Sequence, residues 1–210
     1  MRRLTVGLTG LLLAVAWTGA TQAAIYQWPV ADGGNDHWYE PVAVPGGIAW
    51  TAARDAAVAK GGYLATIASE AENLFVFSLV DAPEYWLPRG TWNWGPWLGG
   101  YQDPADTPTH AANWKWVSGE PWSYTKWMGG EPNDAMQQEA YLEFYSDWNY
   151  TNLDRSPFWN DEADNSRGPT CGFVVEYENA IPEPCTLLVW SLLGASGVTI
   201  GWSRRRKRAG

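Results

Sequence analysis

Cysteine is nearly absent: Cys171 and Cys185 are the only two among 210 residues, and the second falls in a C-terminal segment that reads as separate from the rest. The preceding domain therefore has no internal disulfide available, which removes the crosslinks that commonly supplement the core of a small exported protein. Histidine is as scarce, at His37 and His110, and neither stands in a recognisable catalytic arrangement. Cys171 has no histidine near it in sequence, so it reads as a buried or half-buried thiol rather than a nucleophile. Basic residues are the third scarcity. Residues 24–181 hold 7 Lys and Arg against 22 Asp and Glu, a formal charge of −15, while the whole chain stands at −9 because both tails are basic. Such a surface repels nucleic acid and anionic lipid and attracts cations, so no nucleic-acid partner is expected.

The two ends imitate structure and are set aside first. "MRRLTVGLTGLLLAVAW" runs from basic to apolar and is followed by the small residues of "TGATQAA". That order predicts a secretory signal peptide over residues 1–23, with cleavage near Ala23 or Ala24. At the other end, an uncharged run over residues 186–203 is just long enough to span a bilayer, and a basic block over 204–208 follows it. Positive charge there holds that end in the cytoplasm and leaves the domain facing outward. Pro182, Glu183 and Pro184, the apolar run and the arginine cluster together resemble the bacterial PEP-CTERM sorting tail. The resemblance implies recognition and removal of residues 182–210 by an exosortase-type enzyme, after a transient stay in the inner membrane through the C-terminal helix. Cys185 departs from the pattern, in which Ser or Thr is usual, and a plain C-terminal anchor is the alternative. The expected location is the cell surface, the outer envelope or an extracellular matrix.

What remains, residues 24–181, is one domain with room for a real core. With disulfides excluded, its stabilisation has to come from aromatics, of which 16 are tryptophan, with a bound metal as a second candidate. After an extended start at "HWYEPVAV", the Ala-rich "IAWTAARDAAVAKGG" predicts a helix stopped by Gly61 and Gly62, with Trp50, Ala53 and Ala57 on one face. "SEAE" opens a second helix, with Ser69 as cap, Glu72 reaching back, Leu74, Phe77 and Val80 inward, and Pro83 beyond its end. The chain then changes to short apolar pieces between Gly, Pro and Asn: "WLGG" (97–100), "WKWV" (114–117), "AYLEF" (140–144) and "FVVEY" (173–177). These read as short strands, and two helices followed by strands predict an α+β architecture.

A polar stretch over residues 119–165 carries the informative side chains, and its density of Trp and Tyr argues against disorder. Within it, "EPN" supplies Glu131 and Asn133, Glu139 follows, and "FWND" supplies Asn160 and Asp161. Five oxygen-bearing side chains with no His or Cys suit a hard cation, and calcium takes six to eight oxygens. Zinc, which prefers nitrogen and sulfur, is disfavoured. Carboxylates accept hydrogen bonds while free amide NH2 groups donate them, so two adjacent sugar hydroxyls can complete the metal shell and be fully hydrogen-bonded. That requires Glu131 and Asn133 to point the same way across Pro132, for which a cis Glu131–Pro132 bond is a means.

Taken in order, "AWTAARDAAVAKGGYLATIASEAENLFV", "WLGG", "EPN", "WND" and "FVVEYE" resemble the C-type lectin family over nearly all of residues 37–178. The resemblance implies the C-type lectin-like fold, two helices with small antiparallel sheets and a long calcium-binding loop region. It also implies a calcium and carbohydrate site of Glu131, Asn133, Glu139, Asn160 and Asp161 with mannose-type preference. Val175 stands where the family usually has Cys, so the usual disulfides cannot form. "YSDWNYTNLDRSP" is an insertion-like stretch in which Trp148 or Tyr150 can stack on a sugar or simply pack. Asp103, Asp106 and Asp134 are candidates for a second calcium site, and Asn149 opens a glycosylation sequon. Three functions follow: a calcium-dependent lectin taking glycans or exopolysaccharide, a calcium-braced adhesion or structural protein without sugar, and a glycosidase using Glu131 and Glu139. No catalytic residue is assigned and an enzyme is not expected, since the acids serve as metal ligands.

Overall fold

The structure is a computed structural model that describes residues 24–90, 92–103, 110–146, 155–164 and 170–180. The signal-peptide and sorting-tail segments lie outside these residues, as do Asp106, Trp148, Asn149 and Tyr150. Among the described residues no helix is long and apolar enough to cross a membrane.

Helix α1 (Trp50–Ala59) buries Trp50, Ala53 and Ala57, the face its spacing predicts. It ends in paired N–H bonds, Gly61 to the Val58 carbonyl (2.9 Å) and Gly62 to the Ala57 carbonyl (3.1 Å). That Schellman arrangement needs a left-handed residue, and Gly61 has φ 86°. Its start is capped from afar: Ala49 offers no side chain, and the Asp164 carboxylate takes the Thr51 N–H (2.9 Å) and hydroxyl (2.8 Å) instead.

Helix α2 (Glu70–Val80) is capped by Ser69, whose Oγ accepts the Glu72 N–H at 3.1 Å. The expected return bond from Glu72 goes one residue further back, to the Ala68 N–H at 2.7 Å. The inward face also differs from expectation. Leu74 is 48% exposed, and the buried positions are Glu72, Asn73, Val76 and Val80, with Phe77 partly covered. The Asn73 amide is the reason: it donates to the Pro157 carbonyl (2.9 Å) and accepts from Trp159 Nε1 (2.8 Å). A polar residue that satisfies its hydrogen bonds inside displaces leucine from the core-facing row.

The strands are β1 (Tyr26–Gln27), β2 (Trp38–Ile48), β3 (Tyr63–Leu64), β4 (Leu87–Arg89), β5 (Trp92–Gln102), β6 (Trp114–Trp116), β7 (Tyr141–Ser146), β8 (Arg155–Glu162) and β9 (Thr170–Tyr177). They form a mixed sheet in the order β1-β2-β9-β5-β7-β8, with β3 on β9 and β4 and β6 on β5. Strands β5 and β9 pair in parallel, at Trp97 and Phe173, while the other strand pairs among the described residues are antiparallel. Together with α1 and α2 this is the expected α+β class. The "WLGG" strand admits close neighbours: a Cβ on Gly99 would stand 2.4 Å from the Leu64 carbonyl oxygen.

Among the described residues two large apolar clusters fill the fold, beside a smaller one of Trp94, Met128 and Tyr145. One joins Trp50, Ala53 and Ala57 to Leu64, Trp97 and Val175, so Val175 packs fully buried against aliphatic and aromatic neighbours. The other centres on Trp159, whose ring lies 5.9 Å from each of Trp116, Trp122 and Trp127 and 5.5 Å from Tyr124. Cys171 is half-buried, and burial pushes its thiol up.

A buried polar network ties β2, α2 and β9 together. His37 Nδ1 lies 2.6 Å from Glu176 Oε1, the Tyr39 hydroxyl donates to Glu72 Oε1 (2.7 Å), and the Thr66 N–H donates to Glu176 Oε2 (2.7 Å). The hydrogen bond to Glu176 holds the His37 pKa above its ordinary 6.5 against burial, with Glu120 and Glu72 adding to the pull. A raised histidine pKa contributes stability that is complete below the unfolded value and lost as pH rises through the folded one. Glu176 is itself raised by burial, and its effect has the same sign. The melting temperature in chelator is therefore expected to fall as pH rises from 6 towards 8, with a shallower slope in His37→Gln. Equal slopes in a melting series of the two proteins would show that the pair carries none of the dependence.

Candidate functional site

The loop that carries "EPN" is folded around two carboxylates. Glu131–Pro132 is a cis peptide bond, Asp134 takes a left-handed conformation (φ 48°), and a single 3-10 turn covers Ala135–Gln137. Successive N–H groups then face inward. Asn133 and Asp134 donate to Asp161 Oδ1 (3.0 Å) and Oδ2 (2.8 Å), and Ala135 donates to Glu139 Oε2 (2.7 Å). Asp134 closes the arrangement by accepting the Glu139 N–H (3.1 Å).

Strand β8 supplies the other half. "WND" lies in this strand, not in a loop, antiparallel to β7 with Phe144 opposite Trp159, Glu143 opposite Asn160 and Leu142 opposite Asp161. Trp159 fastens the EPN loop's approach to the strand, through its N–H to the Lys126 carbonyl (2.9 Å) and its carbonyl from the Met128 N–H (2.8 Å).

The five predicted residues fall into two neighbouring groups. Glu131, Asn133 and Asp161 form the first, with the Asn133 amide donating to Glu131 and the Glu131 carboxyl paired with that of Asp161. Burial, then the Asp161 charge, pushes Glu131 up to about 7, and burial raises Asp161 against the two loop N–H groups that lower it. One oxygen of Glu131, Oε2, is buried without a hydrogen-bond partner. Asn160 belongs to the second group, donating through Nδ2 to Glu143 Oε1 at 3.2 Å. Glu143 is fully buried, its Oε2 also lacks a partner, and burial followed by the Glu162 charge pushes its carboxyl far up, with Glu139 and Asp161 adding. Glu139 is buried and turned to the Ala135 N–H.

A hard cation fits this donor set in chemistry. Two acids in contact repel one another, a buried carboxylate oxygen lacks a partner, and none of the ion pairs among the described residues involves Glu131 or Asp161. Each Asp161 oxygen, having accepted one N–H, keeps a second lone pair. Convergence is incomplete: among the described residues no three His, Cys, Asp or Glu side chains stand around one point as a metal would gather them. Of the candidates for a second site, Asp103 lines a separate cavity of about 390 Å³ with Trp50, Arg54 and Tyr101, Asp134 accepts the Glu139 N–H, and Asp106 lies outside the described residues.

Sequence reasoning did not bring in Glu143 and Glu162, and offered Asp134 as a candidate for a second calcium site; in the fold its Oδ1 accepts the Glu139 N–H. Reading "WND" as a strand paired with "AYLEF" would have found Glu143, since antiparallel pairing places a residue of each directly opposite.

No family model matches the chain, and no curated protein matches it. In fold it is similar to several solved structures. The cow C-type carbohydrate-recognition domain of CD23, solved in the presence of GlcNAc2Man3 oligosaccharide, is 23% identical over 69% of this chain and 90% of that one, at a TM-score of 0.47. The C-type lectin CEL-I from Cucumaria echinata is 21% identical over 67% and 89%, at 0.49. A calcium-independent type II antifreeze protein is 21% identical over 67% and 85%, at 0.46. At these identities the likeness is one of fold alone.

Proposed function

We propose that the chain is an exported, calcium-dependent carbohydrate-binding protein of a bacterial surface or matrix, with mannose-type preference. The observation that carries this reading is the contact of half-buried Glu131 with fully buried Asp161, one Glu131 oxygen being buried without a partner, where the EPN loop folds onto β8. Glu131, Asn133, Glu139, Asn160 and Asp161 would hold the calcium, and Asn133 is exposed enough to donate its amide to a sugar hydroxyl. When bound, the metal supplies the positive charge these acids lack and open coordination positions for two adjacent hydroxyls. The protein's own part is to hold acceptors and donors side by side, so that each hydroxyl both gives and receives a hydrogen bond. Export through residues 1–23 and processing of residues 182–210 by an exosortase-type enzyme complete the proposal, and no catalytic residue is part of it.

A second reading is favoured by the loop N–H groups. Because Asn133, Asp134 and Ala135 already bind Asp161 and Glu139, a cation here would brace a loop that is largely closed, as an adhesion or structural protein requires. A glycan array probed with the full chain, with calcium and again with chelator, separates the two. Binding to mannose-type glycans that vanishes in chelator is the expected result. A folded, calcium-loaded chain that binds no glycan would replace the lectin reading with the structural one.

A further inference from the structure

The lectin ligand set uses Asn160 but leaves the residue across from it without a task. Glu143 sits on β7 opposite Asn160 on β8, is fully buried, and accepts the Asn160 Nδ2 hydrogen bond at 3.2 Å through Oε1. An asparagine amide is symmetric in shape but not in chemistry, and only its oxygen can serve a cation. A ligating side chain whose amide is free to turn over presents its NH2 to the metal half of the time, and a positioned acceptor removes that state. Glu143 Oε1 carries no N–H and accepts in either protonation state, as a carboxylate oxygen or as the carbonyl oxygen of the acid, so it pairs with the Asn160 nitrogen.

We propose that Glu143 is a positioning residue, which holds the Asn160 amide with Nδ2 towards the sheet interior and Oδ1 free for the calcium. This rests on the calcium reading above. It also sets a limit on recognition. One of the two Asn160 N–H bonds is spent on Glu143, so Asn160 has a single N–H left for a sugar hydroxyl, and the exposed Asn133, whose amide already donates to Glu131, likewise has one left for the neighbouring one. The buried, unpartnered Oε2 of Glu143 is the sign that this carboxylate is not retained for the hydrogen bonds it makes to the fold. A buried oxygen without a partner costs stability, and an apolar side chain of similar size avoids that cost.

The test is a calorimetric calcium titration of the full chain, wild type, Glu143→Leu and Glu143→Gln, beside melting curves of all three in chelator. Leucine removes the acceptor, and calcium affinity is expected to fall about tenfold or more, in the range seen for residues that orient metal ligands. Glutamine keeps an acceptor oxygen in place of Oε1 and is expected to bind within about threefold of wild type. Melting in chelator should change little for Glu143→Leu, because loss of a buried oxygen without a partner offsets the Asn160 N–H left without its acceptor, whereas a purely structural role for Glu143 would lower it. Equal affinity of wild type and Glu143→Leu overturns the positioning role while leaving the calcium site standing. An equal loss in both variants overturns it in favour of simple charge. A wild-type chain that takes up no calcium overturns this inference together with the calcium reading. Should Glu143→Leu fail to fold, the exchange of donor and acceptor decides: Asn160→Asp alone loses calcium, and adding Glu143→Gln, whose amide donates to the new carboxylate, restores it. Failure of that restoration overturns the proposal.

Discussion

Asp161→Ala is expected to abolish calcium uptake and also to lower the stability of the calcium-free chain, whereas Glu131→Gln is expected to abolish calcium uptake and leave the calcium-free chain at least as stable. The difference follows from what each carboxylate does without a metal. Asp161 is fully buried and receives the N–H groups of Asn133 and Asp134, so its removal strands two loop donors. Losing the partner of a buried donor costs about 1–3 kcal/mol. That cost applies to each of the two donors, and relief of the repulsion with Glu131 offsets part of the sum, which leaves a net loss of about 1–3 kcal/mol. Glu131 is half-buried, and its contact with Asp161 is between like charges with one oxygen unpartnered. Glutamine keeps the shape, removes the charge and can donate an N–H to Asp161. The measurement is a pair of denaturation midpoints in chelator together with calcium titrations, at pH 8, where the two acids repel most. Tight calcium binding by Asp161→Ala would show that the site has been put in the wrong place. A Glu131→Gln chain clearly less stable than wild type in chelator would show that the acid contact serves the fold rather than cation binding.

How much of this was legible beforehand depends on the range of the interaction. Local chemistry was readable. The Ser69 cap, the Gly61 stop, the Trp50–Ala53–Ala57 face and the short strands around 97–100, 114–117, 140–144 and 173–177 all rest on residues within a turn or two of one another. The cis bond at Glu131–Pro132 was readable for the same reason. Contacts between distant parts of the chain were not. Asn73 takes the core position that periodicity gives to Leu74 because its partners lie at 157 and 159, and α1 is capped by a carboxylate at 164. Strand β8 escaped notice because Ser156, Asn160, Asp161 and Glu162 are polar yet buried, so it lacks the apolar alternation by which strands are found. That same burial of polar groups is what makes it the floor of the site. A resemblance by motif fixed which acids to consider, but only the register of β7 against β8 brought Glu143 into the group.

Trp159→Ala is expected to be the most destabilising single substitution in the domain. A tryptophan-to-alanine change in a core costs about 3–5 kcal/mol through lost transfer energy and the cavity left behind. Three circumstances place Trp159 at the upper end. Its ring is fully buried and meets Trp116, Trp122, Tyr124 and Trp127, mostly edge to face, a geometry that adds to area burial. Its Nε1 donates to Asn73 Oδ1, so alanine also leaves a buried amide oxygen without its partner. Finally, its ring is what the tryptophans of the 119–130 stretch pack against, so the cavity cannot collapse without moving the loop that leads into "EPN". Trp159→Phe separates these contributions: it keeps an aromatic ring and loses the Nε1 bond, and is expected to cost about 1–3 kcal/mol. Urea unfolding of the three chains checks both values, with calcium titrations of each folded variant beside them. Because the ring positions both the loop and the strand that bear the ligands, calcium affinity should fall with stability in Trp159→Ala even though no ligand is touched. A loss of stability below about 1 kcal/mol would show that the tryptophan cluster repacks without its centre and that the long loop is held by its backbone bonds to β8.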